Sequence, residues 1–316
     1  VNILARIHLY PPHHCAGAEM MLHELLKALV RRGHRVQVHL SRFSRTTTPY
    51  ILDGVEVYPR DSRDWQDAAY KADVLITHLD NTSTVISAAL AFKKPLVQVL
   101  HNTHPPTRMW ASCKNDLIVY NSDWMRRELG NHPNGVVCRP PVRVVDYDVG
   151  EPGGMSTLVN LQQAKGGVIF AQLAALHPNV GFLGVLGAYG EQLDPRLPNA
   201  LIRQHGLDMK WAYARTKVLL MPSSYESYGR VGVEAMCSGI PVIASDTPGI
   251  REALGDAGAY LPLDADVHAW SDELYHHLHD PRFYARQSTK ARSRATAVDL
   301  LAAAEVETFC TRVESL

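Results

Sequence analysis

The stretch PSSYESYGRVGVEAMCSGIPVIASDTPG, residues 222–249, decides how the chain is read. Leu219-Leu220-Met221 before it and Pro241 to Ala244 within it read as buried strands, so the unit is strand, turn, helix, strand. Such a unit folds without Glu226 on its Ser-rich turn or Glu234 on its apolar helix. In open α/β sheets the turn at the carboxyl end of a strand is where ligands bind. Both carboxylates fall there.

Outward from this unit, strand and helix patterns alternate along the chain, the signature of α/β architecture with parallel sheets. A strand is predicted over 2–9, a loop through PPHHCAGAE, and a helix over 18–32. In that helix Met21, Leu22, Leu25, Leu26 and Leu29 recur at helical spacing, and Gly33 supplies a left-handed stop. RVQVHL, GVEVYP, DVLITHL, PLVQVLHN and DLIVYNS read as further strands, with TVISAALAF and DWMRREL as helices between them. Ser122 or Asp123 is the expected N-cap of the latter. Residues 139–154, RPPVRVVDYDVGEPGG, turn to Pro, Gly and acid and form the expected linker. A second alternating series follows from STLVNL onward and closes with helices over 266–280 and 281–298 and another from about Asp299. The expectation is two Rossmann-like α/β domains, 1–149 and 150–298, whose parallel sheets face an interdomain cleft. Residues 299–316 are expected as a helix crossing back to the first domain.

With 316 residues, 46% of them hydrophobic, each half has material for a core of its own. Lys plus Arg equals Asp plus Glu, 32 against 32, which argues against a broad nucleic-acid footprint. Five dispersed cysteines without CxxC spacing fit reduced thiols. No apolar run reaches the length of a membrane span, and VNILARIHLY reads as a core strand and not as a secretory signal. A cytoplasmic location is expected. The sixteen histidines cluster at His13-His14, at His101 with His104, and at His276-His277 with His279. None of these groups has an HExxH or Cys/His zinc pattern, so no metal is expected.

Glycines mark the handovers from strand to helix. Gly17, in AGAE, and Gly229 sit where backbone N–H groups are free donors and the helix dipole favours an anion. Lys165, followed by Gly166-Gly167, suits a phosphate as a point charge. Glu226, beside the amides of Ser227, Tyr228, Gly229 and Arg230, suits sugar hydroxyls, and Glu234 suits the two hydroxyls of a ribose, because a carboxylate only accepts. Singly, each is an ordinary turn or helix residue. Converging, they describe a nucleotide sugar.

On these residues the chain resembles glycosyltransferase family four. ESYGRVGVEAMCSGIPVIASDTPGIREAL is similar to that family's motif of two glutamates separated by seven residues. PPHHCAGAEMMLHELLKALVRRGHRVQV resembles its first glycine-rich loop and helix, and VLHNTH its histidine-bearing strand end. YNSDWMRREL, TLVNLQQAKGG and YARTKVLLMPSSYES follow in the family's order. The resemblance implies a GT-B fold and retaining transfer from a nucleoside diphosphate sugar to a hydroxyl acceptor. Because Lys165, the amides around Gly229 and the following helix would meet the leaving charge, and Glu226 and Glu234 are taken by hydroxyls, neither metal nor other cofactor is expected. By position it assigns Lys165 to the diphosphate, Glu226 to the donor sugar, Glu234 to the ribose, Gly17 and Gly229 to phosphate, and His101 to the transferred sugar.

One departure is Asn160, where the family carries an arginine; Arg230 and Arg139 are candidate replacements for the lost charge. The acceptor stays open among small molecules, glycans and modified macromolecules, with loops near His13 and over 102–106 facing it. Three rivals are a metal-dependent transferase using Asp146 with Asp148 or Asp264 with Asp266, a nucleotide-sugar epimerase, and a non-catalytic sensor. Acceptor-dependent release of nucleoside diphosphate separates these readings.

Overall fold

A computed structural model describes residues 1–113 and 115–316. The chain forms two compact units, Val1–Pro141 together with Ala302–Leu316, and Val142–Leu301. The first boundary falls inside the Pro- and Gly-rich stretch, the second inside a helix.

The first unit comprises β1 (Asn2–Ile7), α1 (Gly17–Arg31), β2 (Arg35–Leu40), β3 (Tyr50–Leu52), β4 (Val55–Tyr58), α2 (Trp65–Lys71), β5 (Val74–His78), α3 (Thr82–Phe92), β6 (Leu96–Leu100), α4 (Pro105–Ala111), β7 (Leu117–Tyr120), α5 (Asp123–Glu128) and β8 (Gly135–Val137). Its eight strands lie in the order β3-β4-β2-β1-β5-β6-β7-β8. All pairs are parallel except β3 with β4. Strands buried on both faces need near-continuous apolar runs, and the sequence supplies them. Ile3, Ala5 and Ile7 pack on one face against α1, and the same core takes in Phe309, Cys310 and Val313. Leu4, Leu75 and Leu96 pack on the other face beneath Ala68, Ala69, Val85 and Ala88 of α2 and α3.

Helix α1 buries the five expected apolar residues, and Gly33 follows at φ 84°. Ser122 caps α5, its hydroxyl accepting from the Met125 amide at 3.1 Å. Strand β3 has no counterpart in the sequence reading. Asp53-Gly54, at φ 48° and 82°, closes it onto β4, and a two-residue Asp-Gly link between apolar runs is the ordinary signal of such a hairpin.

The second unit comprises α6 (Val144–Tyr147), β9 (Met155–Val159), α7 (Gly167–Leu176), β10 (Phe182–Leu186), β11 (Ala200–Gln204), α8 (Lys210–Tyr213), β12 (Thr216–Met221), α9 (Arg230–Cys237), β13 (Val242–Ser245), α10 (Pro248–Leu254), β14 (Gly258–Leu261) and α11 (Val267–His279), with α12 (Pro281–Glu314) beginning in it. The six strands, ordered β11-β10-β9-β12-β13-β14, are all parallel. The sequence reading of two helices meeting near Asp299 is corrected: α12 is continuous over 34 residues. No Gly or Pro follows Pro281 within it, and Ala302-Ala303-Ala304 are the strongest helix formers. Asp299 is no cap; its carboxylate accepts from the Val144 amide at 2.9 Å.

Candidate functional site

In the second unit, β12 ends at Met221 and the chain turns through 222–229 into α9. Gly229 has φ 110°, a conformation that excludes side chains, and it stands at the N-cap position. Three neighbouring strands, β9, β12 and β13, send their following loops together here. A Cβ on Gly166 would lie 2.1 Å from the Pro222 ring, and one on Gly249 would lie 2.1 Å from the Glu226 carbonyl oxygen. Only glycine permits backbones to approach this closely. That packing brings Lys165 to Glu226, 61 residues later: Nζ donates to Oε1 at 2.7 Å and to the Tyr225 carbonyl at 3.3 Å. Ser223 also donates to Glu226 Oε1, at 3.0 Å. Both charged side chains are about one-fifth exposed (21% and 20%), so the pair is held yet reachable.

Glu234 is placed differently. It is 6% exposed, and each oxygen already accepts one bond. Arg230 Nε donates to Oε1 at 2.6 Å, and the Tyr213 hydroxyl donates to Oε2 at 2.6 Å. Arg230 also donates to the Tyr147 hydroxyl at 2.7 Å. Burial, then the adjacent Glu234 charge, pushes the Tyr213 hydroxyl well above its ordinary pKa, so it remains a donor. Tyr213, Tyr147, Ser223 and Gly249 are missed by the sequence reading. Tyr228 is buried in the core, leaving its backbone on the turn beside that of Ser227.

Asn160 follows β9 at φ 73°, a left-handed conformation that Asn tolerates better than most residues. Its Oδ1 accepts from the Gln162 amide at 3.2 Å, closing a local turn. Arg139 belongs to the first unit and ion-pairs with Glu305, whose Oε2 also accepts from the Arg139 amide at 2.8 Å. The acidic triplets are engaged as well. Asp146 accepts two bonds from Arg143, Asp148 accepts from the Gly150 amide, and Asp266 caps α11.

In the first unit, Gly17 opens α1, and a Cβ there would meet nothing within 4 Å. Among the described residues no side chain caps α1 or α9. His101 follows β6, and its Nε2 lies 3.1 Å from Nδ1 of His78, the last residue of β5. Burial lowers His101 to a pKa of about 4 and His78 well below its ordinary value, so both are neutral near pH 7. Beyond them His8 Nε2 pairs with Glu19 Oε1 at 2.9 Å. Burial opposes ionisation of Glu19, but the His8 hydrogen bond and the neighbouring imidazoles outweigh it and hold the carboxyl at about 2.

His8, His14 and Glu19 bring ligand-type atoms within 4.8 Å of one another. The sequence reading passes over His8, Glu19 and His78, which gather only because β1, α1 and β5 are neighbours. A cavity of about 360 Å³ adjoins His101, lined also by Asp80, Gln98, Asn102, Thr107 and Trp110.

Comparison with known proteins fits this geometry. Residues 16–145 match the family described as Glycosyltransferase Family 4, and residues 202–294 match Glycosyl transferases group 1. The chain belongs to glycosyltransferase family four and has the GT-B type of fold. A D-inositol 3-phosphate glycosyltransferase of Corynebacterium glutamicum is 34% identical over 104 residues, 33% of this chain and 23% of the relative. A GDP-mannose-dependent alpha-mannosyltransferase of Mycobacterium tuberculosis is 31% identical over 117 residues, 35% and 31% of the two chains. The matches thus span less than a third of these curated relatives' length. Among solved structures, Anabaena HepE in complex with UDP and glucose superposes with a TM-score of 0.79 at 17% identity, over 100% of both chains. Sucrose-phosphate synthase from Thermosynechococcus elongatus gives 0.80 at 15% identity, again over 100% of both. Among the described residues no helix is long and apolar enough to cross a membrane.

Proposed function

We propose that this protein transfers a sugar, with retention of anomeric configuration, from a nucleoside diphosphate sugar to a hydroxyl acceptor. The observation that carries this reading is the Lys165–Glu226 pair at the start of α9, where glycines let three loops meet. Breaking a sugar–phosphate bond loads negative charge onto the diphosphate. On this reading Lys165 and the first amides of α9 meet that charge as it develops, which is how preorganised electrostatics lowers a barrier. Glu226 accepts from donor-sugar hydroxyls and exchanges part of its bond to Lys165 for them. A carboxylate offers about four acceptor sites; Arg230 and Tyr213 occupy two on Glu234, and a ribose diol suits the remaining pair. Gly17 is assigned to phosphate and His101, neutral, to the transferred sugar.

The reaction on this reading needs no divalent metal, since the charge of the leaving group is met by Lys165 and the helix. The free cysteines, four of the five buried, support a cytoplasmic location. The test incubates the protein with a panel of nucleotide sugars, with and without candidate acceptors, and measures released nucleoside diphosphate. Release should require an acceptor and survive exhaustive chelation, while Lys165→Ala should be far more damaging than the chelator. Acceptor-independent conversion of the donor would point to an epimerase. Tight binding without turnover would point to a sensor. Loss with chelator and recovery with manganese would overturn the metal-free reading.

A further inference from the structure

Near the carboxyl ends of the first unit's strands, the face that buries Leu4, Leu75 and Leu96 changes character. Tyr58, His39, Arg6, Thr77 and Gln98 stand in lateral register across β4, β2, β1, β5 and β6. Residues in register on adjacent parallel strands share a face, so these five form one polar row. Four of them hold a buried polar atom without a protein partner: His39 Nε2, Arg6 Nε, Thr77 Oγ1 and Gln98 Oε1. His39 and Gln98 are each 2% exposed. Buried polar atoms are rarely left unpaired, and a run of four on neighbouring strands calls for a partner from outside the chain.

The cations around this row show what kind of partner. The half-buried Arg6 guanidinium lies 4.1 Å over the Trp65 ring, and Arg63 lies 4.9 Å over Tyr58. Among the described residues neither makes a hydrogen bond or an ion pair. Stacking fixes a guanidinium's plane and leaves its N–H fork for an oxyanion. Arg60, on Phe43, is balanced by Asp61 at 3.4 Å, and Asp64 is spent capping α2. Arg6 and Arg63 therefore remain without a paired carboxylate, Asp61 acting on Arg6 only through space. Burial first, then Arg63 and Arg6, lowers His39 to about 4, so His39 adds no charge but can donate one hydrogen bond.

We infer that Arg6 and Arg63, with His39 and Thr77 on the floor between the strands, bind a phosphate monoester. Its charge of nearly two at neutral pH matches two free guanidiniums, where a carboxylate would balance only one. Gln98 lines the cavity beside His101 and lies two strand spacings from Arg6, about 10 Å. If the proposed sugar transfer holds, on which this step rests, the phosphate belongs to the acceptor, whose reacting hydroxyl would lie one sugar ring away, toward His101.

The test is equilibrium binding of glucose 6-phosphate, glucuronate and glucose to the full chain by calorimetry, with Trp fluorescence reporting on Trp65. The phosphate ester should bind at least about tenfold more tightly than either other ligand. Arg6→Gln should lower its affinity by about ten- to a hundredfold, and Arg6→Lys, which keeps charge without the fork, by less. Arg63→Gln, an exposed-loop change that leaves the core intact, should lower it about tenfold even if Arg6→Gln proves unstable. UDP binding, measured in parallel, should be unchanged in every variant. Equal affinity for glucose 6-phosphate and glucuronate, or an unaltered affinity in folded Arg63→Gln, would overturn the site. Wild-type protein that binds the phosphate ester but no nucleotide would instead keep the site and sink the proposed transfer.

Discussion

At the carboxyl end of β12 in the second unit, the polar side chains answer one another. Lys165 and Ser223 donate to Glu226, and Arg230 and Tyr213 donate to Glu234. At the corresponding ends of β1, β2, β5 and β6 in the first unit, Arg6, His39, Thr77 and Gln98 each bury an atom with no partner in the protein. Both surfaces lie where open α/β sheets bind ligands. In the second unit both carboxylates are held before a ligand arrives, so on the proposed reading a nucleotide sugar adds bonds to acceptors whose positions are already fixed. The first has donors and acceptors in place but unspent, so a ligand there completes the network. The difference predicts opposite responses to mutation: loss of stability where the network is closed and buried, as at Glu234, and loss of binding where it is open.

The sharpest way to break that contrast is Glu234→Ala. It strands the Arg230 guanidinium, 8% exposed, without its carboxylate. Removing one partner of a buried pair costs about 3–5 kcal/mol, so denaturant unfolding should show a loss of that size together with weakened nucleotide binding. Unchanged stability would mean that Glu234 is not structurally committed.

Next in size is Glu226→Gln. The residue and its charged partner Lys165 are both partly exposed, so the fold should be indifferent. Turnover with a productive donor and acceptor should fall roughly 10²–10³-fold, with nucleoside diphosphate affinity almost unaltered. An equal fall in both would move Glu226 from the sugar to the diphosphate.

The neutral histidines of the first unit give a smaller, pH-dependent effect. His101 titrates at about 4 in the fold against 6.5 for the free side chain. Below about pH 6.5 the unfolded imidazole takes a proton that the folded one refuses. Stability is therefore complete above that pH and is lost as pH falls toward 4, on the order of 3 kcal/mol for this group. Unfolding midpoints measured from pH 7.5 to 4.5 should decline, and His101→Gln should make the decline shallower. Equal slopes for wild type and variant would contradict a half-buried, neutral His101.

The smallest expected effect sharpens the comparison. Tyr213→Phe removes one donor from Glu234 and leaves Arg230 in place, which should lower stability by about 0.5–1.5 kcal/mol. A loss as large as that of Glu234→Ala would make the hydroxyl, and not the ion pair, the main restraint on the carboxylate.

Much of this molecule is readable in one dimension, because its causes are local. Apolar runs of strand length, the helical spacing of Met21 to Leu29, the stop at Gly33 and the cap at Ser122 act within a few residues. The unit over 222–249 and Lys165 before Gly166-Gly167 likewise mark candidate site residues at strand ends from residue type and order alone. Other features depend on strand order, which no local pattern contains. Glu226 meets Lys165 because β9 and β12 are neighbours and Gly166 lets their loops touch. Glu234 is bound by Tyr213 at the end of the preceding helix and by Arg230 one turn back, so its burial follows from packing. His8, Glu19 and His78 come from three segments, and the row from Tyr58 to Gln98 needs five strands in register. Asn160 reads in sequence as a missing charge; the fold places it at a left-handed turn that its short side chain closes. Sequence by itself determined most of the secondary structure, β3 and the continuity of α12 excepted, and the chemistry available at the strand ends. The tertiary structure decided which of those groups satisfy one another and which await a ligand, because hydrogen bonds and ion pairs are set by distance in space.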